Sequence, residues 1–255
     1  MKIGAMNNPG KDLYKEIRFI ADNFDFLDLT LEPGRTYPSI VNVKKILQLK
    51  KKYNLEFIGH TPWDLPISSP YASVREAALY EYLKCLSVFS KLSVKLVNVH
   101  PSLSESSDAE SVIKDNIRFF NRIVKIAKKK DIVIMMENTV SLFNDLGVMA
   151  RILKETPGLK LHWDVGHANL GNDGERKTRL AFHNFKNKIF HMHFSDNNGK
   201  DDQHLPLGAG NINWAMIIKT IKEYKYNKTI TLEIHSPDRS YLLLNRDRLR
   251  MYWRE

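Results

Sequence analysis

Short apolar runs alternate with longer amphipathic segments eight times along the 255-residue chain, at about 32 residues per unit, the spacing of a strand and a helix with their connections. The runs predict strands at residues 2–5, 26–31, 55–60, 95–100, 132–137, 160–164, 189–193 and 229–233. The segments between them carry the 3.6-residue period of helices. Ile113, Ile117, Phe120, Val124 and Ala127 form one apolar stripe, and Trp214, Ile217, Ile218 and Ile221 mark another. Ser107 and Glu110 stand at capping-box spacing ahead of the first of these helices.

An open doubly wound sheet would also alternate strands and helices. That fold has no reason to end most of its strands in polar residues, and the chain lacks a Gly-x-Gly-x-x-Gly turn. A barrel has such a reason, because its catalytic groups sit where strands end. With no linker-like stretch, low-complexity tract or shift in composition, the pattern predicts an α/β fold: a single-domain (β/α)8 TIM barrel over residues 1–255.

Composition changes this picture little. Hydrophobic residues make up 43% and charged residues 27%, the profile of a globular chain. The start of the chain reads as a strand running into an Asn-Pro-Gly turn. It has no apolar stretch of signal-peptide or membrane-span length, so a cytoplasmic location without membrane contact is expected. The one cysteine, Cys85, shares a helical stripe with Ala78, Tyr82, Phe89 and Leu92 and reads as core. The formal net charge of +10 brings nucleic acid and phosphorylated ligands into consideration. However, the densest runs, Lys50 to Lys52 and Lys128 to Lys130, fall at helix ends just before strands, where they complement helix dipoles on the face opposite a barrel's active site. The sequence does not specify an oligomeric state.

Six successive predicted strands, the third to the eighth, end in a metal-ligand residue type: His60, His100, Glu137, Asp164, His193 and Glu233. Closing the sheet brings all six to one end. His167, Asp202 and His204 lie in the loops that follow, giving a pool of nine groups. Neutral imidazole and carboxylate are the usual ligands of zinc, manganese and related divalent ions, and a carboxylate can bridge two of them. The remaining His162, His183, His191 and His235 read as structural groups or as partners that orient a ligating imidazole. Nucleophilic Ser or Cys chemistry has little support, because no Gly-x-Ser-x-Gly elbow occurs and Cys85 falls mid-helix. Trp63, Tyr71 and Trp163 stand near strand ends, where they could wall a sugar or a base or pack the barrel. Arg35, Lys200 and Arg239 fall where they could meet a phosphate or serve the surface.

At these residues the chain resembles the xylose isomerase-like barrel superfamily. The resemblance rests on Gly59-His60-Thr61-Pro62, Asn98-Val99-His100-Pro101, Glu137-Asn138-Thr139, Asp164-Val165-Gly166-His167-Ala168-Asn169, His193-Phe194-Ser195-Asp196-Asn197, the stretch from His204 to Trp214, and Leu232-Glu233. Sugar phosphate isomerases and epimerases of this superfamily are similar in the Asp-Val-Gly-His-Ala-Asn and His-Leu-Pro-Leu-Gly stretches. That branch implies one divalent ion, manganese or zinc, on Glu137, Asp164, His193 and Glu233. The ion chelates adjacent oxygens of a small sugar or sugar phosphate and stabilises an enediolate, while Glu137 and Glu233 move protons and His167 assists; Trp63, Lys200 and Arg239 are the expected substrate contacts. Endonuclease IV shares the ligand pattern. That branch implies up to three zinc ions, with His60, His100 and Glu137 around one, Glu137, Asp164, His193 and Glu233 around a second, and His167, Asp202 and His204 around a third, cleaving duplex DNA at an abasic site. A barrel that only binds a sugar or a metal is the non-enzymatic alternative.

Overall fold

The apolar runs form eight strands: β1 (Lys2–Met6), β2 (Phe26–Thr30), β3 (Glu56–His60), β4 (Leu96–Val99), β5 (Val133–Glu137), β6 (Lys160–Asp164), β7 (Ile189–Phe194) and β8 (Thr229–Leu232). Each pairs in parallel with its neighbours in sequence, and β8 pairs with β1, so the sheet closes into the expected (β/α)8 barrel. The structure is a computed structural model that describes residues 1–254. The helices are α1 (Leu13–Asn23), α2 (Val43–Tyr53), α3 (Ala72–Lys91), α4 (Ala109–Lys128), α5 (Leu146–Glu155), the short α6 (Val165–Asn169), α7 (Gly174–Phe185), α8 (Trp214–Glu223) and α9 (Ser240–Arg254). None of them is long and apolar enough to cross a membrane.

Local chemistry sets the boundaries. β4 stops before His100 because Pro101 follows and has no N–H to give to a ladder. Glu233 lies one residue beyond β8, although its backbone N–H still reaches Phe194 O at 3.1 Å. The capping box expected from Ser107 and Glu110 does not form. Asp108 is the N-cap of α4 and accepts from Ser111 N at 2.9 Å, while Glu110 turns outward to bind Arg151 and Lys114. A carboxylate one residue later satisfies the same free N–H groups and adds a favourable charge at the helix start.

Two cores result. The large one fills the space between sheet and helices with Leu27, Leu29, Phe89, Phe120, Trp163 and similar residues, and it includes Cys85 as expected. The barrel interior has a small apolar plug of Phe26, Ile58 and Met135 at its N-terminal end. Above the plug the buried inward positions are polar: Asp28, Asn98, His162, His191 and Thr231 are all 0% exposed. Barrel interiors are ordinarily filled by branched aliphatic side chains, so this stretch is given over to hydrogen bonding and charge. Lys50 to Lys52 end α2 and Lys128 ends α4, at the face opposite the strand C-termini.

The plug depends on a glycine. A Cβ at Gly4 would stand 2.4 Å from two ring carbons of Phe26, a side chain 1% exposed with no room to retreat. Gly4→Ala is expected to destabilise the protein by roughly 1–3 kcal/mol through overpacking. A thermal melt of the variant beside the parent checks this, and an unchanged Tm would show that Phe26 moves freely.

Candidate metal centre

Glu137, Asp164, His193 and Glu233, from the ends of β5, β6, β7 and β8, each offer one ligand atom, and these atoms all lie within 4.8 Å of one another. An ion with ligands at roughly 2.2 Å spans about 4.4 Å between opposite donors, so a small contraction closes the set. Three carboxylates and one imidazole suit manganese or zinc. The Asp164 Oδ2 atom is buried without a hydrogen-bond partner among the described residues, as expected of a lone pair that a cation would take. Burial, reinforced by the charges of Glu137 and Glu233 against that of His167, pushes the Asp164 carboxyl up to about 6. A cation would relieve that crowding.

The side chains are held by their own sequence neighbours. Asp164 caps the first turn of α6, accepting from His167 N at 2.6 Å. Asn138, next to Glu137, grips Asp164 from both sides: its Nδ2 donates to Asp164 O at 2.9 Å, and its Oδ1 accepts from Asp164 N at 2.7 Å. A Cβ at Gly166 would lie 2.6 Å from Ser195 Oγ, so only glycine lets this turn pack on the loop after β7. His167 Nδ1 sits 2.8 Å from the Asn138 carbonyl; a carbonyl only accepts, so Nδ1 carries the proton and Nε2 faces Asp202 at 3.1 Å.

The other expected ligands gather around this set. His60, His100 and Glu137 offer a second group within the same 4.8 Å limit, with His100 Nε2 at 3.0 Å from Glu137 Oε2. Asp202 Oδ2 lies 3.1 Å from both His167 Nε2 and His204 Nε2, uniting the three loop residues. All nine groups therefore converge at the C-terminal end of the barrel. His204 adopts φ +48°, a left-handed backbone that non-glycine residues rarely hold. Burial lowers the pKa of its imidazole, but the bond to Asp202 and the charges of Glu233, Asp202 and Asp164 outweigh burial and hold it up at about 9.

Two carboxylates with no role in the sequence reading organise the site. Asp28, in the middle of β2, is fully buried. Its Oδ2 accepts from His193 Nε2 at 2.9 Å, His191 Nε2 at 3.2 Å and Thr231 Oγ1 at 2.9 Å. Burial alone would raise its pKa, but the two imidazole bonds overcome this and hold the carboxyl well below the usual range. The bond also fixes the His193 proton on Nε2, leaving Nδ1 to face the cluster 2.8 Å from Glu233 Oε2. A register shift between Leu161 and His162 sets His162 against His191, their rings 4.8 Å apart. Asp196, after β7, accepts from Gly208 N, Ile212 N and Trp214 Nε1 at 2.7, 3.2 and 2.9 Å, folding the loop that carries Asp202 and His204. The signal for Asp28 was a lone acid between two leucines of an apolar strand.

A cavity of about 1300 Å³ opens above the centre, walled by His60, His100, Glu137, His167, Asp202 and Glu233 among others. Trp63 and Arg239 line it, and Arg239 is tied to Glu16 there. Lys200 and Arg35 are exposed and lie outside the wall. Trp163, one of the residues weighed as a ligand wall, is core packing instead, 0% exposed with Nε1 donating to Thr178 Oγ1. Tyr71 is exposed at the start of α3, away from the cavity. His183 is exposed on α7 rather than supporting a ligand. His235 packs its ring 4.1 Å from that of His204 and could join His204 and Glu233 around a cation.

Asp28→Asn is expected to weaken metal binding about 10- to 100-fold, measured by competition with a chromogenic chelator; unchanged affinity would show that His193 needs no such support. The raised pKa of His204 gives a second expectation. A group at about 6.5 when unfolded and about 9 when folded stabilises the protein fully below about 6.5 and loses that contribution as the pH rises through about 9. The Tm of chelator-treated protein should therefore fall between these limits, and His204→Asn should shallow the fall.

Residues 17–251 match the model of the xylose isomerase-like TIM barrel family. An uncharacterized protein of Methanocaldococcus jannaschii is 32% identical over 222 residues, covering 83% of this chain and 75% of that one. A probable endonuclease 4 of Aquifex aeolicus is 26% identical, with coverage of 73% and 72%. Among solved structures, a D-tagatose 3-epimerase-like protein superposes with a TM-score of 0.90 at 28% identity, covering 100% of this chain and 97% of that one. Closed barrel, converging ligands and matched length together establish that the chain belongs to the xylose isomerase-like TIM barrel family.

Proposed function

We propose that this protein is a divalent-metal-dependent isomerase or epimerase of a small sugar or sugar derivative. The observation that carries the reading is the convergence of Glu137 and Glu233, which line the cavity, with Asp164 and His193 buried directly against them. The likeness to a D-tagatose 3-epimerase-like protein over the whole chain supports it. When bound, a divalent ion would supply Lewis-acid polarisation of two adjacent substrate oxygens. One glutamate takes the proton from the carbon beside the carbonyl, leaving an enediol-type species, and the other returns a proton to the opposite face or to the neighbouring carbon. His167, its Nδ1–H anchored to Asn138, lines the cavity where a substrate hydroxyl would lie.

A second reading, phosphodiester hydrolysis on several ions, has its own support in the His60–His100–Glu137 group, in Asp202 between His167 and His204, and in the likeness to probable endonuclease 4. The cavity wall weighs against it. Apart from the proposed ligands Glu137, Asp202 and Glu233 it carries Glu16, Glu32 and Asp64 against Lys11 and Arg239, and Arg239 is already paired with Glu16, so it offers few free cations to a polyanion.

The isomerase reading expects the manganese- or zinc-loaded protein to incorporate deuterium from solvent beside the carbonyl of a ketose or aldose, followed by NMR across a sugar panel. Glu137→Gln or Glu233→Gln should slow this at least about 100-fold, with metal content measured in parallel. His100→Ala should cause only partial loss. If instead no sugar exchanges and His100→Ala abolishes incision of a duplex carrying an abasic site, the second reading replaces the first.

A further inference from the structure

The cavity exceeds what the metal floor needs. Its volume, about 1300 Å³, lies above the roughly 300–1000 Å³ of pockets that hold a drug-sized ligand, and one sugar ring at the ligands fills only its inner part. The outer part is built differently. Trp63, Leu103 and Val140 line it while 67%, 46% and 40% exposed, three large apolar side chains at one mouth.

The loops that present these side chains are fixed before any ligand arrives. Trp63 lies in a segment stiffened by Pro62, Pro66 and Pro70. On one side Thr61 Oγ1 donates to Asn98 O at 2.8 Å; on the other Ile67 is buried and Ser68 Oγ donates to Ser102 O at 2.7 Å. Ser102, whose neighbour is Leu103, is held again by Asn116, which accepts from its N at 3.1 Å and donates to its O at 2.9 Å. With its backbone held in this way, Trp63 has only the two torsions of its side chain to order on binding. Polar groups share the cavity with it: Asp64 follows in sequence, and Asn8 and Lys11 also line the wall. An apolar platform with a carboxylate at its edge matches the C–H face and hydroxyl rim of a pyranose better than it matches a hydrocarbon chain. Asp64, next to Trp63, disfavours an anionic group at this position.

We propose that the outer half of the cavity is a subsite for an uncharged glycosyl unit stacked on Trp63, so that the substrate is a disaccharide or glycoside whose reacting sugar lies at the metal floor. This rests on the sugar isomerase reading and narrows it. The test is calorimetry on the metal-loaded protein with polyols that have no carbonyl and cannot react: sorbitol, maltitol and lactitol, the last two being sorbitol with one added hexosyl unit, and sorbitol 6-phosphate. Maltitol or lactitol should bind at least about tenfold more tightly than sorbitol, and Trp63→Ala, a change at an exposed side chain, should bring that ratio towards one. Equal affinities in the parent, a ratio that survives Trp63→Ala, or tightest binding of sorbitol 6-phosphate would overturn the subsite and leave the isomerase reading standing. Absence of binding by all four would overturn both.

Discussion

The site depends on a carboxylate buried where no water reaches it. Asp28 is 0% exposed inside the barrel, and an ionised acid there is tolerable only because three donors, from His193, His191 and Thr231, close on one of its oxygens. Those bonds dictate the rest. They set the His193 tautomer and aim its other nitrogen at the ligand cluster. They also fix the ring of His191, and they leave Asp28 Oδ1 facing His60 Nδ1 at 3.9 Å. Burial pulls the His60 pKa down to about 4, so this ring stays neutral at ordinary pH and keeps a lone pair for a metal. One side chain from the second strand thus orients a ligand from the seventh, while burial keeps the ligand from the third neutral against the pull of the same carboxylate.

This arrangement explains why the fold was legible in the sequence while part of the site was not. Strands and helices were readable because the apolar face between sheet and helices repeats with clear periods, and Leu27 and Leu29, or Ile217 and Ile221, bury as those periods require. The ligands were readable because a His or acid that ends an apolar run stands out from its surroundings. Asp28 gave a weaker signal, since a single acid inside a strand reads as an exception to the apolar pattern until the barrel is closed and its partners, 163 to 203 residues away in sequence, come together. The capping box failed for a local reason: two acceptors one residue apart competed, and the carboxylate of Asp108 prevailed over the hydroxyl of Ser107. Lys200 lay near ligands in sequence, but its loop, folded over Asp196, directs it to solvent.

The same geometry shows how one floor accommodates two chemistries. Glu137 belongs to both ligand groups, so an ion held by it with Asp164, His193 and Glu233 would leave His60 and His100 either as ligands of a second ion or as imidazoles beside the substrate. What separates these outcomes is charge. A hydrolase acting on nucleic acid needs positive groups along the path of the phosphates, and here the lysine runs solvate the opposite end of the barrel while the cavity wall has only Lys11 and an Arg239 already tied to Glu16. The net charge of +10 therefore describes the outer surface rather than the cavity.

The loops after β3 and β4 rise above the floor of Glu137, Asp164, His193 and Glu233 and contribute none of those four side chains. The polar cluster is secured from below by Asp28 and from the sides by Asn98 and Asn138, all 0% exposed. The β3 and β4 loops are joined to each other through Ser68, Ser102 and Asn116, beside the floor rather than through its ligands. A change at Trp63 or Leu103 can reshape the mouth without disturbing a ligand, whereas a change at Asn138 would move Asp164 and His167 together. A ligand cluster fixed from below and a rim anchored separately mean that the β3 and β4 loops can change shape while the cluster keeps its geometry.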